Sequence, residues 1–169
     1  MRGWTRGQWA LRLVVLAGPL LALSVQGLTG DGPRTVTVLL TAALAAGFAR
    51  YPESPAGTVA FVLVLASWWD GGAGAVEPSA LLAAAGLVAS HVAALLTSYG
   101  PDEVPLDRPL TLLWLRRGAA VLLAAPAVWL LAEGLRDQPE QAGVWVAGVV
   151  AVIGAVLFAI VAGRDREPA

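Results

Sequence analysis

The chain has no cysteine and no lysine, one histidine, one methionine and only 14% charged residues among its 169. Without cysteine there are no disulfides, thiolate metal sites, thiol nucleophiles or S-acylation sites. So little charge beside 57% apolar residues does not suit the wet surface of a soluble domain, and lipid is the solvent that fits. A formal net charge of −1, with no basic-aromatic stripe, leaves no electrostatic footprint for nucleic acid. Also lacking are HExxH, GxSxG and a phosphate-binding loop. The chain therefore reads as a non-enzyme with no catalytic residue, no cofactor and no metal site, with an intramembrane enzyme acting on lipid as a distant alternative that the lone His91 keeps open. Asp70, Glu77, Glu133, Asp137 and Glu140 read as solvated loop-end carboxylates rather than as metal ligands.

What the chain does have is six apolar runs at nearly even intervals, at about residues 10–28, 35–49, 55–69, 79–98, 110–132 and 143–163. A hydrocarbon core of about 30 Å asks for about 20 helical residues. The expected fold is all-α: one integral membrane domain over 1–169, a polytopic helical bundle of six spans. The second and third runs are short, and Tyr51-Pro-Glu-Ser-Pro55 separates them. They form either a crossing hairpin or a re-entrant pair, which leaves four full spans and a short hairpin as the alternative. Ser54 is the expected cap of the third helix, with Pro55 in its first turn.

Arginine distribution gives an orientation. With the N-terminus inside, Arg2, Arg6, Arg12, Arg50, Arg108, Arg116, Arg117, Arg164 and Arg166 are cytoplasmic, against Arg34 and Arg136 outside. Both termini are then cytoplasmic, and Arg50 favours a crossing hairpin. Basic residues that are all Arg, among abundant Ala, Leu, Val and Gly, fit a GC-rich bacterial genome, so the expected location is a bacterial inner membrane. A signal peptide with Ala22-Leu-Ser24 as its cleavage site competes for the first run, but Trp9 and Arg12 read as interfacial anchors of a longer, uncleaved helix. Pro and an acid near Gly30-Asp-Gly-Pro33, Val76-Glu-Pro78 and Gln138-Pro-Glu140 fit either three duplicated hairpins or ordinary helix starts.

Small residues recur every four positions on three helices: Thr37, Thr41, Ala45 and Ala49; Gly86, Ser90, Ala94 and Ser98; and Gly143, Ala147, Ala151, Ala155 and Ala159. Such stripes let helix backbones approach closely in lipid. The lone His91, beside Ser90, borders the second stripe and should turn toward a neighbouring helix. His91, Ser90 and Thr41 are the candidate functional polar site, either as a proton-responsive group or as an internally satisfied packing contact. Ser90 and His91 diverge by about 100° on a helix, which is wrong for nucleophile activation. Asp107 should cap the fifth helix, with Trp114, Arg116 and Arg117 contacting lipid headgroups or a partner.

The stretch Ser90-His-Val-Ala-Ala-Leu-Leu-Thr-Ser-Tyr-Gly-Pro101, an acidic proline-bearing loop and Trp114-Leu-Arg-Arg117 resemble uncharacterised small polytopic membrane proteins of actinobacteria encoded near MoxR-type AAA ATPases and DUF58 proteins. The resemblance spans about thirty residues, implies a membrane accessory protein and transfers no site residue. The expected partners are the lipid bilayer and either another membrane protein or a second copy. Two functions compete: a non-enzymatic scaffold or accessory subunit, and a small oligomeric transporter or channel with His91 in a polar path.

Overall fold

The computed structural model describes residues 5–28, 32–70, 77–99 and 107–135, with Val150; at 131, 132 and 135 it describes the backbone alone. The chain divides into two compact units, 1–134 and 135–169, and the described helices belong to the first. They are α1 (Arg6–Gln26), α2 (Thr35–Arg50), α3 (Ala56–Asp70), α4 (Ser79–Ser98) and α5 (Arg108–Leu135), the last helix ending at the boundary residue. The fold is all-α over the described residues.

Three of these helices, α1, α4 and α5, are long and apolar enough to cross a membrane. The expected count of six spans is not supported. At 16 and 15 residues, α2 and α3 measure about 24 and 22 Å, short of a full hydrocarbon core, because the proline-bearing turn ends one and delays the other. Apart from Val150, the sixth run, with the stripe of Gly143, Ala147, Ala151 and Ala155, lies outside the described residues, as do Asp137, Glu140 and the acidic loop before Asp107.

Local chemistry sets the helix ends. α1 starts four residues before its apolar run because Thr5 caps it, its side chain accepting from the Gln8 amide at 3.3 Å. Asp107 caps α5 as expected, its carboxylate accepting from the Leu110 amide at 3.4 Å and its carbonyl from the Thr111 amide at 2.9 Å. Ser54 does not cap α3. Its Oγ is buried without a hydrogen-bond partner, its own amide binds the Tyr51 carbonyl in the turn, and the Pro55 carbonyl accepts the first helical bond, from Val59. The serine stands one residue too early, because Pro55 holds the boundary position.

α1 is the hub. Its buried residues include Gln8, Val15 and Ala22 on one seven-residue row and Arg12, Pro19 and Gln26 on another, with Gly18 flanking the first. α4 packs against it most extensively, followed by α2 and α3. At the closest approach Gly18 faces Gly86: a Cβ on Gly18 would overlap the Gly86 carbonyl oxygen and stand 2.6 Å from the Ser90 Cβ. Two small apolar clusters fill the remaining space, Val15 with Phe48, Ala93 and Ala94 toward one end, and Ala22 with Leu23, Val64 and Ala83 toward the other.

Candidate functional site

Polar contacts fasten α2, α3 and α4 to α1 at three heights. In the middle, Ser90 Oγ donates to the Val15 carbonyl at 2.8 Å. Toward the end of α1, the Gln26 amide donates to the Ser67 carbonyl at 2.7 Å while Ser67 Oγ donates back to Gln26 Oε1 at 2.9 Å. Beside this pair, Trp68 Nε1 donates to the Ala22 carbonyl at 3.2 Å. Trp69 next to it is 88% exposed, so of the two adjacent indoles only Trp68 is tied to α1.

Toward the start of α1, Arg12 is buried and donates through Nη1 to the Ala49 carbonyl and, at 3.1 Å, to the Arg50 carbonyl. A guanidinium at these last carbonyls of α2 satisfies acceptors that have no donor within the helix and complements the negative end of its dipole. The sequence reading of Arg12 as an outward anchor is thereby corrected. Its position four residues after Gln8 and seven before Pro19 puts it on the buried rows, and polar residues recurring on those rows are the signal that exposes the role.

Among the described hydrogen bonds, none links the three residues proposed as one polar site. Ser90 is fully buried and spent on α1. Thr41 is also fully buried, and its Oγ1 has no hydrogen-bond partner. His91 is exposed, one residue round α4 from Ser90, with its ring 6.4 Å from that of Phe61 and tilted by 60°. The small stripe Gly86, Ser90, Ala94 does turn inward, all three being buried. His91 therefore borders that stripe as expected but looks outward, into a groove beside α3.

This groove, of about 530 Å³, runs between the α2–α3 turn and α4, with Phe48, Glu53, Thr58, Phe61, His91 and Ser98 among its walls. Its chemistry is mixed: aromatic edges, an imidazole, one carboxylate and the three hydroxyls of Ser54, Thr58 and Ser98. Among the described residues no group of three or more His, Cys, Asp or Glu is placed to hold a metal ion. Catalytic convergence of the kind that activates a nucleophile, with a base in hydrogen-bond reach, is not formed by Ser90, His91 and Thr41.

Of Trp114, Arg116 and Arg117 in the early turns of α5, the structure brings together Trp114 and Arg117. The Arg117 guanidinium carbon lies 5.3 Å from the centre of the Trp114 ring, which in turn packs 5.7 Å from the ring of Tyr99 at the end of α4. Both arginines are exposed. This stack combines a cation over an indole face with the only aromatic contact described between α4 and α5.

The polar contacts separate by variant. Ser90→Ala removes one interhelical bond and is expected to destabilise the bundle by about 1 kcal/mol, the usual range for such bonds in membrane bundles. His91→Ala, at an exposed site with one ring contact, is expected to shift stability by less than about 0.5 kcal/mol. Unfolding in mixed micelles checks both. A loss for His91→Ala as large as that for Ser90→Ala would make His91 a packing residue. No family model, curated protein or solved structure matches this chain.

Proposed function

We propose that this chain is a non-enzymatic integral membrane protein, a scaffold or accessory subunit that packs with other membrane proteins. The observation that carries the reading is α5. It is long and apolar enough to cross a bilayer, yet only 6% of its apolar window is buried within the chain. Lipid alone can solvate such a helix, but its outward positions include Ala119, Ala120, Ala124 and Ala127, and small residues are what allow one helix backbone to approach another in lipid.

In this reading the membrane is a bacterial inner membrane, crossed six times with both termini cytoplasmic, as the arginine distribution favours. A crossing α2–α3 hairpin gains support from its fastenings. Arg12 holds its turn at one end of α1 and Gln26 holds α3 at the other, so the hairpin runs beside α1 over most of its length. Because the chain lacks cysteine, single cysteines introduced at Ser54 and Ser98 report sidedness cleanly. Labelling of both from the cytoplasmic side is expected, and labelling of Ser54 from outside overturns the crossing. For the function itself, crosslinking and co-purification from native membranes should recover a stoichiometric membrane-protein partner. Recovery of the chain alone, under detergent conditions that keep other membrane complexes intact, overturns the accessory role.

One observation favours the second reading, a small oligomeric transporter or channel: His91 is exposed in a partly polar groove rather than packed. The tight Gly18–Gly86 contact leaves no room for a path between α1 and α4, so a path would need a second copy to close the groove. Flux through reconstituted protein that disappears in His91→Ala would favour this reading over the first.

A further inference from the structure

A second groove, of about 360 Å³, lies on another side of the bundle, where α1, α4 and α5 meet. Leu11 and Val14 of α1, Val88 and Val92 of α4, and Leu115 and Leu122 of α5 are among its walls, and no wall residue carries a polar side chain. From Ala85 to Leu96 it follows α4 for twelve residues, about 16 Å of helix. It is the shape and chemistry of a slot for part of a hydrocarbon chain.

Its mouth is charged. Arg108, Leu115 and Leu122 stand at seven-residue intervals on α5, so Arg108 continues the groove face about two turns toward the helix start. Arg108 is exposed. Level with Leu115, Arg116 stands exposed about 100° round α5 from the groove face on one side, and Trp114 as far round on the other, against Tyr99 at the end of α4. Indole and phenol rings favour the depth of lipid headgroups, and arginines there reach toward phosphates. An apolar slot whose α5 face runs on to a guanidinium complements one kind of molecule in both of its parts.

We infer that the α1–α4–α5 groove is a binding site for an anionic glycerophospholipid, with an acyl chain along Val88, Val92, Leu115 and Leu122 and the headgroup phosphate at Arg108. A basic residue near a membrane surface strengthens attraction to an anionic lipid by about fivefold, which sets the expected preference over a zwitterionic lipid of the same chains. The site is independent of whether the protein also has a protein partner.

The test is native mass spectrometry of the full chain released from mild detergent after exposure to phosphatidylglycerol or phosphatidylethanolamine with identical acyl chains. Phosphatidylglycerol should be retained at least about fivefold more. Arg108→Gln should reduce its retention by about fivefold and leave phosphatidylethanolamine unchanged. Arg34→Gln, far along the chain from the groove and lining a different recess, should change neither. Ala119→Trp, which fills the slot, should lower retention of both lipids; its helicity and melting are measured alongside as a check on helix packing, and Arg108→Gln, at an exposed site, carries the decision alone if they change. Equal retention of the two lipids, no effect of Arg108→Gln, no lipid retained, or a lipid-free dimer in place of a lipid-bound chain each overturns the assignment.

Discussion

Gly18→Ala is expected to destabilise the bundle by about 3 kcal/mol, at the upper end of the range for overpacked interiors, which lowers the folded-to-unfolded ratio by roughly two orders of magnitude. The added methyl group would overlap a backbone oxygen, that of Gly86, and stand 2.6 Å from the Cβ of Ser90. Neither is the end of a flexible side chain, so the only relief is to move α1 and α4 apart. Separation would stretch the Ser90–Val15 hydrogen bond and open the contact that carries most of the packing. Gly86→Ala meets the Gly18 oxygen at 3.0 Å and the Leu21 Cδ2 at 3.2 Å; Leu21 is half exposed and can turn away, so a loss of about 1 kcal/mol is expected. Gly134, with nothing within 4 Å of an added Cβ, is the control, and Gly134→Ala should be neutral or slightly stabilising through helix propensity. Reversible unfolding in mixed micelles ranks the three. Equal effects at Gly18 and Gly134 would show that the two helices do not meet at this point.

Arg12→Met should cost about 2–3 kcal/mol. A hydrogen bond involving a charged group contributes about 1.5–3 kcal/mol, and here the same Nη1 serves two carbonyls at a helix end that has no side-chain substitute. Methionine keeps much of the buried length and removes the donors, so the loss isolates the hydrogen bonds from the packing. Arg12→Lys should recover part of the stability, because an ammonium can reach one carbonyl but lacks the guanidinium fork. Arg50→Met should cost less than about 0.5 kcal/mol, since the exposed side chain of Arg50 rests over the Tyr51 ring while its carbonyl, unchanged by the substitution, does the accepting. A loss at Arg50 equal to that at Arg12 would mean that side-chain charge at this end, rather than the capping of α2, is what matters.

Much of this architecture is legible in the amino-acid sequence, for identifiable reasons. Helix positions follow from apolar runs broken by Pro, Gly and acids, and the inward turn of Gly86, Ser90 and Ala94 follows from small residues at four-residue spacing. Asp107 is readable as a cap because it directly precedes Arg108-Pro109 and an apolar run. Other features are hidden because their meaning depends on a partner helix. Arg12 looks like an interfacial anchor until the end of α2 is placed beside it. Gly18 is an ordinary small residue until Gly86 lies opposite. Ser54 fails as a cap by one residue, a distinction that local composition does not carry. The outward direction of His91 is the plainest case: two adjacent polar residues on α4 look alike in the sequence, and only the position of α1 decides which one is consumed in packing.

The Ser90–Val15 bond joins residues 75 positions apart. At ordinary synthesis rates of about 5–20 residues per second, Val15 leaves the ribosome roughly 4 to 15 s before Ser90 exists. During that interval the groove-shaped face of α1 around Gly18 has no native occupant, although α2 and α3 are already available to Arg12 and Gln26. The order of birth thus imposes an order of assembly: a three-helix subassembly first, held by its two ends, and then the insertion of α4 into a seam that has been kept open for it.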